Sequence, residues 1–156
     1  MRLAVKTWIA VVAAALLLFV LGFLLTSSIF ELLLPQENGV SIIDDPGFSG
    51  SYVFAFIFAA IPLCAAIVWS SGHVLGLRKR LLSVVIISVA VLLALVIRHW
   101  MIAGLFRKYA ALQSSMEGLQ ASMPYSELRF GTWALGGLII GSIIAFLTLN
   151  RRRQLS

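Results

Sequence analysis

The sequence predicts an all-α membrane protein with four transmembrane helices, the third extended beyond the membrane. Three observations predict it. Apolar residues make up 61% of the chain, charged residues 12%, and mean hydropathy is +1.03. Soluble domains run nearer half apolar and a quarter charged. Four apolar runs are each long enough to cross a hydrocarbon core of ~30 Å, which takes about 20 helical residues. The six acidic residues (Glu31, Glu37, Asp44, Asp45, Glu117 and Glu127) fall in two segments, while most basic residues fall in others. A soluble fold of 156 residues could not hide this much apolar surface, so lipid must cover it.

The four runs make one domain, 1–156, with spans at about 7–29, 52–70, 81–103 and 130–149. Outer segments cover about 30–51 and 104–129. The helical reading follows from the bilayer, which offers no water to unpaired backbone groups. The runs are also too long and too uniformly apolar for barrel strands. Arg2 and Lys6 resemble the start of a signal peptide. The first run, however, is well beyond the 7–15 apolar residues of such a segment, so it is read as a retained span.

Orientation follows from Lys and Arg. Arg2, Lys6, Arg78, Lys79, Arg80, Arg151, Arg152 and Arg153 share one side of a four-span chain. Arg98, Arg107, Lys108 and Arg129 lie on the other, mixed with all six acids. The positive-inside rule places both termini in the cytoplasm of a multi-pass cell-membrane protein. Trp8, Tyr52, Trp69, Trp100 and Trp133 near span ends fit aromatic belts. The formal charge of +6 is matched to anionic lipid rather than nucleic acid, because the basic residues flank apolar spans instead of lining one face. No N-glycosylation sequon is present and Cys64 is the single cysteine. Both fit a bacterial inner membrane.

Helices in lipid associate through close packing of small residues. Gly137, Gly141 and Ala145 recur every fourth residue in the last span and are expected to form a packing face. The first span carries Ala10, Ala14 and Gly22 on a similar face, and the third carries Ala90 and Ala94. The same small faces could serve self-association. Pro62 removes a backbone bond in the middle of the second span and predicts a kink there.

The segment after the third span is the most informative. Ile102, Leu105, Tyr109, Leu112, Met116, Leu119 and Met123 recur with alternating spacings of three and four. That is a heptad seam, and it predicts a helix ending at Pro124. Leu105, Tyr109, Leu112, Met116, Leu119 and Met123 are therefore the candidate partner interface. The seam could instead cover the chain's own first outer segment, or lie in the headgroup plane.

Catalytic signals are sparse. None of the four runs carries an ionisable residue near its centre, which disfavours proton-coupled transport. His73 and His99 fall at opposite faces of the membrane, too far apart to share a haem or zinc. Arg98, His99 and Trp100 are weak candidates for a quinone or lipid headgroup. Asp44-Asp45-Pro46-Gly47 reads as a turn rather than a metal site. No phosphate loop, nucleophile elbow or metal-ligand motif is present. The expected function is a non-catalytic accessory or structural subunit, or an assembly factor, of a larger membrane complex. No cofactor and no metal are expected, and the partners are lipid and other membrane subunits. A small transporter or lipid-handling protein using the Pro62 span is the alternative. A quinone-interacting redox subunit is the third.

Overall fold

The computed structural model describes residues 5–34, 40–43, 47–71, 76–115, 121–124 and 128–151. Five helices hold nearly all of them. They are α1 (Val5–Leu24), α2 (Thr26–Leu33), α3 (Gly47–Ser71), α4 (Leu77–Ser115) and α5 (Phe130–Arg151). Two short strands, β1 (Val40–Ile43) and β2 (Ala121–Pro124), complete the order. α1, α3, α4 and α5 are each long and apolar enough to cross a membrane. The chain is thus a multi-pass helical membrane protein by length and composition.

The helices form two antiparallel hairpins. α1 packs on α3, and α4 packs on α5. α3 joins the hairpins by touching both α4 and α5. The buried core runs through Phe54, Ile57, Ile61 and Ala65 of α3, Ile87, Val91 and Leu95 of α4, and Ala134 and Leu138 of α5. α1 contributes little to that core and exposes most of its side chains, as a peripheral helix facing lipid would. One end of the bundle carries the start of α1 and the end of α5. The opposite end carries the two long connections and is called the loop end below.

Three features depart from expectation. The first span is not one helix, because a turn at Leu25 separates α1 from α2. The Thr26 hydroxyl donates to Gly22 O at 2.7 Å, which engages a helix carbonyl beside the turn. α2 then carries the chain to Leu33 at the loop end. The packing face of α1 also differs. Val11, Ala15 and Gly22 are buried, while Ala10 and Ala14 are exposed. A step of one residue is about 100° of helix, which is enough to turn the small face away from α3.

The third departure is in the seam. Among the described residues α4 reaches Ser115, and Ala121–Pro124 is a strand. Met123 therefore does not continue a helical heptad. Its strand pairs in parallel with β1, in register Val40↔Ala121, Ser41↔Ser122, Ile42↔Met123 and Ile43↔Pro124. The competing force is a ladder to a distant segment, which local periodicity cannot contain. Val40, Ile42 and Ile43 supply the β-branched side chains that favour such pairing. Pro124, which has no N–H to donate, sits at the end of the strand.

Candidate functional site

The loop end is where the polar and aromatic side chains are organised, and α4 organises it. At 39 residues α4 is about 58 Å long, against the ~30 Å that a membrane crossing needs. Its overrun does not stand free at first. Ile102 and Phe106, one turn apart, are fully buried with Leu128 and Phe130. Ile29, Phe30, Leu33, Leu34 and Leu105 pack around them. Phe30 meets Phe130 edge to face, with ring centroids 5.9 Å apart. Such a geometry contributes about 0.5–1.5 kcal/mol beyond area burial.

Two neighbouring side chains of α4 tie this cluster to backbone. Arg98 is 7% exposed, and its Nε–H donates to Leu128 O at 2.7 Å. Half-buried His99 lies 2.7 Å through Nδ1 from Leu33 O. A carbonyl can only accept, so this contact requires the proton on Nδ1. Leu33 closes α2, where the last carbonyls lack helical partners. His99 therefore caps α2 from a different helix, a placement that also suits the negative end of the helix dipole. Leu128 lies just before α5, so Arg98 fixes the entry to that helix. Trp100, one residue on, is 74% exposed and points away from both ties. Arg98, His99 and Trp100 thus do not converge on one cavity. The donors Arg98 Nε–H and His99 Nδ1–H are spent on carbonyls.

Arg129 follows, with φ of 45°. This left-handed conformation costs an L-residue with a side chain roughly 1–2 kcal/mol. Its carbonyl accepts from Trp133 N–H at 3.3 Å and opens α5. Arg129, Arg107 and Lys108 are exposed at this end of the bundle.

The candidate interface residues divide. Leu105 packs against the loop-end core and Tyr109 is half-buried. Leu112 lies in the last turns of α4, while Met116 and Leu119 fall outside the described residues. Met123 is in β2. Phe106, off the seam, is the buried aromatic that sequence periodicity missed. Its signal was the four-residue spacing from Ile102.

Gly137 and Gly141 face α4. A Cβ at Gly137 would lie 2.8 Å from Ala90 O and 2.9 Å from both Val91 Cα and Ala94 Cβ. One at Gly141 would lie 2.8 Å from Ala90 Cβ and 3.0 Å from Ile87 Cα. Ala145 is fully buried one turn further on. Only glycine lets the two backbones come this close.

The terminal end has one polar cluster of its own. Trp69 Nε1–H donates to Ser83 Oγ at 2.6 Å, and the Ser83 hydroxyl donates to Arg80 O at 2.7 Å. The Arg80 guanidinium stands 5.6 Å from the centre of the Trp69 ring, within cation–π reach. This ties the end of α3 to the start of α4. Pro62 is buried within α3, whose helix continues to Ser71, and Cys64 is half-buried and free. His73 and Asp44-Asp45-Pro46 lie outside the described residues.

Thr26, Ser83 and Arg98 are the buried polar side chains among the described residues. Each is hydrogen-bonded to the protein. The chemistry on view is that of cross-ties: hydroxyl, guanidinium and imidazole donors closing helix ends. No protein-family model, curated protein or solved structure matches the chain.

Proposed function

We propose that this chain is a non-catalytic accessory subunit or assembly factor of a larger membrane complex, and that its loop end is the part a partner reads. The observation that carries the proposal is the organised overrun of α4. A helix that only had to cross the bilayer could stop near Trp100. This one continues for about fifteen residues to Ser115, or about 22 Å. Its first turns are packed against α2 and the start of α5. The two long connections are joined beside it by β1 and β2. A bundle with this much ordered structure outside its spans offers shape as well as charge to another protein. The spending of Arg98 and His99 on backbone carbonyls supports a structural role over a redox one.

In this reading the termini are cytoplasmic, the loop end faces outward, and the host is a bacterial inner membrane. The support is the eight basic residues that flank the terminal end. The interface lies beyond Tyr109, through Leu112, Met116 and Leu119, since Leu105 is engaged with the chain's own core.

The test is extraction of the full chain in mild detergent, with its co-purifying proteins identified. The Leu112→Asp/Met116→Asp double variant is carried in parallel. Charges in a buried seam cost more than its remaining contacts supply. The double variant is expected to reach the membrane at normal levels and to lose its partner. Retention of the partner at normal level removes the seam from the interface. A wild-type chain that is active alone and carries no stoichiometric partner defeats the subunit reading.

A further inference from the structure

An open groove of about 410 Å³ runs down the loop-end half of the α4–α5 hairpin. Thr132 and Trp133 form its head, and Ile144 lies at its foot. Ala90, Ala94, Gly136 and Gly137 supply its small-residue walls. Gly137 is already committed to α4, but Gly136 is not: a Cβ there would meet nothing within 4 Å. The groove is therefore a real recess in the hairpin surface rather than the packing seam itself.

Its length identifies what fits. Trp133 to Ile144 is eleven helical rises, about 16 Å, close to the ~15 Å of one leaflet of a ~30 Å core. A helix of a second copy would continue past such a recess through both leaflets. A single acyl chain would end within it. The lining is apolar up to Thr132 and Trp133, and the chemistry changes there. Arg129 is exposed just ahead of α5, four residues before Trp133, while Trp133, Gly136, Ile140 and Ile144 form one stripe along α5. Residues so spaced share one helix face. Trp133 sits where an amphipathic ring meets headgroups.

We propose that this groove is a binding site for one anionic phospholipid of the loop-end leaflet. An acyl chain lies against Gly136, Gly137 and Ile140, and the headgroup phosphate is held by the Arg129 guanidinium. Guanidinium and phosphate match in charge and in hydrogen-bonding geometry. The site is independent of the subunit reading, since none of the residues lining the groove belongs to the seam.

Two variants separate the parts of the site without attacking the fold. Gly136→Leu fills the recess where the backbone leaves open space. Arg129→Gly removes the cation and also relieves the left-handed conformation at φ 45°. Both are confirmed as folded by their melting temperatures in the same detergent. The full chain is titrated with palmitoyl-oleoyl phosphatidylglycerol or the matching phosphatidylcholine and read by native mass spectrometry. One phosphatidylglycerol per chain is expected to be retained about tenfold more strongly than phosphatidylcholine, corresponding to about 1.4 kcal/mol. Arg129→Gly should remove the headgroup preference, and Gly136→Leu should remove the retained lipid. Equal, statistically spread retention of both lipids, or retention unchanged in Gly136→Leu, overturns the proposal. A dimer mass that Gly136→Leu abolishes also overturns it, by giving the groove to a second copy.

Discussion

Along α5, Gly137 and Gly141 bring two backbones together over a full helical turn against Ala90, Ala94 and Ile87. Along α1, Gly22 alone makes such an approach, where a Cβ would lie 2.8 Å from Phe58 Cδ2 and 2.9 Å from Ala55 Cα. The rest of the α1–α3 contact includes rings. Phe19 stands edge-on to Phe56 at 5.3 Å, and Phe23 stacks on Tyr52 at 5.3 Å. The α4–α5 hairpin is thus held by backbone proximity and the α1–α3 hairpin by side-chain packing near one end. Lipid supplies no hydrophobic drive between helices, so these two kinds of contact are most of what holds each pair. Backbone proximity tolerates no added atom. Aromatic packing can shift its rotamers.

That difference sets an order of effects on stability, measured by thermal unfolding in mild detergent. Gly137→Leu should be the most damaging. Each atom that its Cβ meets is backbone or a short methyl, so α4 and α5 must separate; a loss of about 3 kcal/mol is expected. Gly22→Leu should cost less, about 2 kcal/mol. Its nearest obstacle is the Phe58 ring, and α1 is a peripheral helix that packs chiefly on α3. Phe19→Ala should cost about 1 kcal/mol, because Phe19 is only half-buried and loses mainly its ring contacts. Gly136→Leu, adjacent to the most sensitive position, should change stability by less than about 0.5 kcal/mol. If Gly136→Leu and Gly137→Leu prove equally damaging, the close approach at Gly137 does not govern this hairpin. If Gly22→Leu exceeds Gly137→Leu, the two hairpins have been ranked in the wrong order.

The four apolar runs were legible because membrane thickness translates directly into run length. α1 with α2, α3, α4 and α5 lie over those runs. Their ends were less legible. Beside the break at Leu25 the Thr26 hydroxyl finds Gly22 O, and threonine in a helix has no obligation to do so. The buried face of α1 is set by Val11, Ala15 and Gly22, and residue size alone does not separate it from Ala10 and Ala14. The strand at Ala121–Pro124 was hidden because its partner lies some eighty residues earlier, at Val40–Ile43. Arg98 and His99 drew attention as charged and aromatic groups. Their acceptors, Leu128 O and Leu33 O, are backbone atoms that every residue carries, so no motif points to them.

The central claim is that the loop end faces outward, where a partner can reach it. The direct measurement is labelling of single cysteines with an impermeant thiol reagent on intact cells, in a Cys64→Ala background. Cysteines replacing Gln36 or Gln120 should react from outside. Cysteines replacing Gly76 or Gln154 should react only after the membrane is opened. The reverse pattern would put the loop end in the cytoplasm and contradict the account at its base.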